Sequence, residues 1–398
     1  MHGRVKRKGV GLLAVLCVVV AACGDDDESS PSVPSAGTEA SATPSTTAAE
    51  VTAATGEAAG GDESAGGSAD SDLRIAMVSD GEVLLGGWYG SMEDGRLYLE
   101  DQTGLDVDLI ENVAAGQVAQ RTFDDLASDG YDVLISISTF DADVAAVAPD
   151  HPDTVFLQSC DATVLGNMAQ YCAAVEQARY VDGVLAASLS EAGRIGYVIG
   201  FEIPFVLKPL NAFVRGAQTV NPDVAVDVVV TNSWFDPTLE RQAAESLVNN
   251  GTDVLTYDLS SSAIPEVAAK NGIPFVGYGY DDAATQAPDA WAGGSLYNWG
   301  PIWVEQVESI RAGTWETTYA YGGFEVDFLD YSDLADSVPA DVQALVETTL
   351  EQLRSGALDP LAGPVIDNTG EIAIPEGETA DVATCCDWYA QGISGVGG

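Results

Sequence analysis

Leu126-Ala127-Ser128-Asp129-Gly130-Tyr131-Asp132-Val133-Leu134 returns 121 residues later as Leu247-Val248-Asn249-Asn250-Gly251-Thr252-Asp253-Val254-Leu255. In each copy an amphipathic segment ends near a Gly that can take the left-handed C-cap, and an Asp-Val-Leu strand follows. Upstream, Val107-Asp108-Leu109 is echoed by Val226-Asp227-Val228. A single helix–Gly–strand unit recurs by chance in α/β proteins. Two in register predict two lobes of similar plan, with a cleft at the C-terminal ends of their strands.

The rest of the core carries the same alternation. Short apolar runs at 73–80, 106–110, 131–136, 155–157, 194–199, 224–230, 252–256 and 274–277 read as strands. Helical stretches at 92–101, 118–128, 177–191, 238–249 and 304–312 separate them. This is the signature of an α/β fold with parallel sheets. Asp236-Pro237 reads as the N-cap and first residue of the helix that follows, which leaves Trp234 two residues before the cap, facing the cleft.

The N-terminus is of another kind. Arg4, Lys6, Arg7 and Lys8 precede an unbroken apolar run from Val10 to Ala22. That run is too short to span a bilayer and suits a secretory signal. It ends in Val20-Ala21-Ala22-Cys23, which resembles a bacterial lipobox with Cys23 as the lipidated mature N-terminus; the alternative is an ordinary signal cleaved after an Ala-x-Ala-like site. Residues 24–72 contain no Lys or Arg and consist mainly of Ser, Thr, Ala, Gly, Pro and acids. Such a segment cannot bury enough apolar surface to fold and reads as an acidic tether. The expected organisation is therefore a signal at 1–22, a tether at 23–72, a first lobe at 73–172 and a second at 173–299. Segments at 300–398 cross back to complete both lobes.

Residues 73–398 carry 51 acidic against 11 Lys and Arg side chains, a net charge of −40. That excludes nucleic acid or an anionic membrane surface as a partner for the folded part. A heavily hydrated surface for a salty exterior accounts for the acids, since short Debye lengths screen their repulsion. His2 leaves with the signal and His151 stands alone, so no two-His metal motif exists. A Ser-His-Asp or Cys-His catalyst would need that one residue. Cys160 and Cys172 form a candidate disulfide in an oxidising exterior, against the alternatives of zinc or two buried thiols. Cys385 and Cys386 are adjacent and their state is open.

Aromatic residues gather at the predicted strand ends beside small polar or acidic ones. Trp88 and Tyr89 follow the first strand, Phe140 the third and Trp234 a later one, with Tyr278, Tyr280, Tyr297 and Trp299 beyond. Asp80, Asp141, Asp281 and Asn298 sit among them. Aromatic faces with a few acceptors suit a planar polar ligand, where stacking supplies area and Asp or Asn reads ring donors. Packing in the core is the competing role for each aromatic taken singly.

Several blocks carry a family resemblance. They are Val78-Ser79-Asp80-Gly81, Gly200-Phe201-Glu202-Ile203-Pro204, Asn211-Ala212-Phe213-Val214-Arg215-Gly216-Ala217, Trp234-Phe235-Asp236-Pro237, Gly277-Tyr278-Gly279-Tyr280-Asp281-Asp282, Asn298-Trp299-Gly300-Pro301 and Asp387-Trp388-Tyr389. In order and spacing the chain resembles the basic membrane protein (BMP) family of substrate-binding lipoproteins, similar to the purine nucleoside receptors of ABC importers. The resemblance implies a two-lobed type I periplasmic-binding fold with a hinge, no cofactor and no metal. It further implies a monomer that hands a purine base or nucleoside to an ABC permease. By position Trp88 and Trp234 would sandwich the ring, with Asp80 and Asp281 hydrogen-bonding it. Tyr89, Phe140, Asp141, Phe201, Ser260, Asn298 and Trp299 complete the expected ligand set. Nucleoside receptors place a Lys after the late strand where this chain has Asn298-Trp299. That form resembles a branch whose ligand looks like a free base such as adenine. A binding-protein sensor for purines or sugars and a carboxylate-dependent nucleosidase are the alternative functions.

Overall fold

The computed structural model describes residues 73–83, 86–161, 163–280, 283–380 and 385–396. The first lobe is built from β1 (Ile75–Val78), α1 (Gly87–Thr103), β2 (Val107–Ile110), α2 (Gln117–Ser128), β3 (Val133–Ser136), α3 (Asp141–Val147), β4 (Val155–Ser159) and β5 (Met168–Ala173). The second follows as α4 (Val175–Leu189), β6 (Arg194–Ile199), α5 (Pro204–Val220), β7 (Ala225–Val230), α6 (Pro237–Asn249), β8 (Val254–Asp258), α7 (Ala263–Asn271), β9 (Phe275–Gly277), α8 (Ala283–Gln286) and β10 (Trp291–Tyr297). The chain then returns to the first lobe with α9 (Trp299–Arg311), which packs on α1, and β11 (Tyr319–Gly322), which pairs with β5. It crosses again with β12 (Leu329–Tyr331), antiparallel to β10, and α10 (Ala340–Arg354) against α4. The hairpin β13 (Val365–Ile366) and β14 (Ile372–Ile374) precedes β15 (Ile393–Ser394), which joins β7.

Strand orders are β11-β5-β4-β3-β1-β2 and β12-β10-β9-β8-β6-β7-β15. The repeated motif occupies the same place in both sheets: β3 lies beside β1, and β8 beside β6. Gly130 and Gly251 adopt φ of 84° and 93°, the left-handed conformation that ends each preceding helix. β1, β3, β5 and β8 are buried at every residue, as parallel strands covered on both faces must be. Asp236 caps α6 as its spacing predicts, accepting the amide hydrogens of Thr238 and Leu239 at 3.0 Å.

Two elements depart from the sequence reading in ways that matter for the cleft. The first helix starts at Gly87 rather than 92, so Trp88 and Tyr89 stand in its opening turn. The segment 204–220 is a helix despite Pro209 in its interior. Burial against α4 over most of its length offsets the hydrogen bond that proline removes. Here the two backbones nearly touch: a Cβ on Gly183 would lie 2.0 Å from the Phe213 carbonyl oxygen, and one on Gly216 2.0 Å from that of Tyr180. Neither oxygen can yield without moving its helix. Gly183→Ala should therefore cost about 3 kcal/mol of stability, the upper end for overpacking, read as a lowered Tm or denaturant midpoint. The same change at Gly166, where nothing lies within 4 Å, should be close to neutral.

Candidate functional site

A cavity opens where the strands of both lobes end. Each wall is a residue just past a strand: Asp80 after β1, Ser138 and Thr139 after β3, Ser159 and Cys160 at the end of β4, Asp258 and Ser260 at the end of β8, and Tyr278 after β9. Trp88 and Tyr89 enter from the first turn of α1, Ile203 and Phe205 from the start of α5, and Trp234 from the loop after β7.

On the first lobe, one Asp80 carboxylate oxygen accepts from the Tyr89 hydroxyl at 2.9 Å and the Ser138 hydroxyl at 2.5 Å. That leaves its other oxygen for a ligand donor. Burial, with the Asp80 charge beside it, pushes the Tyr89 phenol well above its ordinary range, so it stays a donor. Trp88 donates its indole N–H to the Ile137 carbonyl at 2.8 Å. Edge-to-face contacts with Trp299 at 5.1 Å and Phe205 at 5.6 Å hold the ring. Phe205 belongs to the second lobe, so this contact joins the lobes at the cavity wall. On the second lobe, Trp234 rests over Gly200, where a Cβ would come within 2.7 Å of the ring, and meets Phe201 edge-on at 4.8 Å.

Beneath the second wall lies a fully buried cation. Arg179 donates to Asp182 at 2.7 Å, Tyr197 at 2.8 Å and Thr256 at 2.9 Å, and its Nε lies 3.3 Å from Asp258. The Tyr197 hydroxyl lies 2.8 Å from both Asp258 oxygens. Burial pushes the Asp258 carboxyl up to about 6, against the opposing pull of Arg179 and Tyr197. A carboxyl whose native pKa exceeds its unfolded value of 3.8 favours folding most when protonated in both states. Its contribution is therefore full below about pH 4 and is lost as pH rises through about 6. A melting series should show stability falling across that window, and Asp258→Asn should flatten the fall.

The family model described as Bmp, ABC transporter substrate-binding protein PnrA-like, matches residues 73–338. The chain belongs to this family. A purine-binding protein of Brucella abortus (strain 2308) is 31% identical over 330 residues, covering 82% of this chain and 94% of the relative. A putative ABC transporter glucose-binding protein of Haloferax volcanii is 30% identical, covering 77% of this chain and 78% of the relative. Among solved structures, an ABC transporter solute-binding protein from Aeropyrum pernix K1 superimposes with a TM-score of 0.64 at 18% identity, covering 72% of this chain and 92% of that one. One from Conexibacter woesei gives 0.60 at 24%, covering 72% and 98%. These likenesses establish the two-lobed fold of solute-binding proteins.

In this Bmp-family protein the expected ligand set divides. Asp80, Trp88, Tyr89, Trp234 and Ser260 line the cavity. Phe140 does not: it is buried in the first lobe's core against Phe123 at 5.7 Å. Asp141 begins α3 and accepts from Thr163 at 2.6 Å and Gln170 at 2.7 Å, which fixes the loop around residue 163. Phe201 buttresses Trp234 from outside the lining, and Asn298 donates to the Asp327 carbonyl at 2.9 Å. Trp299 is wholly buried, its indole N–H donating to Ser91, and supports Trp88 from behind. Asp281 and Cys23 lie outside the described residues. Cys160 and Cys172 are joined in a disulfide, and so are Cys385 and Cys386. Asp258 and Phe205 escaped the sequence reading. The strand-end rule that found Asp80 points equally to Asp258, while nothing local marks Phe205.

Proposed function

We propose that this Bmp-family protein is a lipid-anchored, extracytoplasmic receptor. It binds a purine base of the adenine kind, or a purine nucleoside, between its lobes and delivers it to an ABC permease. The supporting observation is the cavity walled by Trp88 from one lobe and Trp234 from the other, with the carboxylates Asp80 and Asp258 among its polar groups. Indole faces supply apolar contact to a flat ring, and carboxylates accept from its N–H groups. The described lining includes no Lys, Arg or His, so nothing in it attracts an anionic ligand. The Brucella relative, named as purine-binding, agrees with this reading.

Calorimetric titration with adenine, guanine, adenosine, inosine and glucose tests the ligand. Adenine or a purine nucleoside should bind with a Kd in the micromolar range or tighter, and glucose should give no heat. Binding of glucose alone would overturn the assignment. Lipidation of Cys23 predicts that Cys23→Ser moves the protein from the membrane fraction to the medium. Loss of purine uptake on deletion of the protein separates a delivery protein from a sensor, which would leave transport unchanged.

A further inference from the structure

A second chamber adjoins the first through Thr139, Cys160, Ile203 and Phe205. Its walls come from both lobes, and each wall carries a disulfide. Cys160 and Cys172 belong to the end of β4 and to β5, in the first lobe. Cys385 belongs to the C-terminal segment, which is fastened to the second lobe. There Asn211 of α5 donates to the Trp388 carbonyl at 2.9 Å and accepts from the Ala390 amide at 2.8 Å, and β15 pairs with β7. Cys386 is buried at 1% exposure, whereas Cys385 is only partly covered and lines the chamber. Lys208 lines it too, paired with Glu176 at 3.4 Å, and so does Asp161.

We propose that this chamber is a site of thiol–disulfide exchange that can tie the two lobes together. An external dithiol first reduces the Cys385–Cys386 bond, is itself oxidised to a disulfide, and leaves two protein thiols. The Cys385 thiolate then attacks the Cys160 sulfur. The Cys160–Cys172 bond breaks, Cys172 departs as a thiolate and takes up a proton, and a Cys160–Cys385 bond forms. The exchange step consumes no further oxidant, since one disulfide replaces another. Its product links the first lobe's β4 end to a segment fixed on the second, so the lobes can no longer separate freely along this chamber.

The test is to treat the full chain with one equivalent of dithiothreitol, quench with an alkylating reagent and map disulfide-linked peptides by mass spectrometry without reduction. At least a tenth of the chains should carry a Cys160–Cys385 link within a monomer. Cys386→Ser, which leaves Cys385 as a thiol from the start, should give the same link with no dithiol added. Recovery of only Cys160–Cys172 with alkylated Cys385, in both the wild-type chain and the variant, would overturn the proposal. A link found only in covalent dimers would overturn it equally.

Discussion

Trp234→Ala should weaken binding of the purine ligand by roughly 100-fold, the equivalent of ~3 kcal/mol at the upper end for stacking a base on an aromatic ring. The melting temperature should move little. Trp234 is only partly buried and lies on a loop, with Gly200 beneath it and Phe201 at its edge. Its removal thins the second lobe's wall without opening the core. Trp234→Phe keeps a flat apolar face and should recover all but about tenfold of the affinity. Trp88→Ala is a less clean experiment, because that ring is also packed among Phe205, Tyr297 and Trp299 and should lose stability as well as affinity. Titration calorimetry beside a thermal melt distinguishes the two. Unchanged affinity in Trp234→Ala would place the ligand elsewhere.

The contrast between these tryptophans shows what the chain made legible. Position along the strands was visible, because a parallel strand announces itself by its apolar run and its end by the polar residue that follows. Asp80, Trp88 and Trp234 were found in that way, and Asp258 obeys the same rule. Depth was not visible. Phe140 and Trp299 follow strand ends more closely than Trp88 does. Yet one turns into the core beneath α2 and the other into the α1–α9 contact, where Gly95 leaves room for it. Which way a ring turns depends on helices that pack across it from distant sequence. The same holds for Phe205, whose place in the wall is set by α5, a helix that Pro209 hides from a reading of local pattern. The return of 299–322 to the first lobe likewise follows from pairing between β11 and β5, a contact 149 residues apart at Tyr319 and Gln170.

Arg179→Met should be the most damaging single substitution outside the cavity, costing about 3–5 kcal/mol, the range for removing one partner of a buried ion pair. Arg179 has no exposed surface, and its guanidinium meets Asp182, Asp258, Tyr197 and Thr256 together with the Gly277 carbonyl at 3.1 Å. Without it two carboxylates, 0% and 4% exposed, would face each other's charge in the interior. Burial already raises the pKa of both, and loss of the cation must raise them further. The variant should therefore lose more stability at pH 8 than at pH 5, where protonation relieves the unpaired acids. Arg179→Lys should rescue little, since one ammonium cannot reproduce a planar fork that serves six partners. Asp182→Asn combined with Asp258→Asn in the Arg179→Met background should restore part of the loss and remove its pH dependence. Denaturant melts at the two pH values decide the matter: equal losses at both would mean that packing, rather than charge, is what Arg179 supplies.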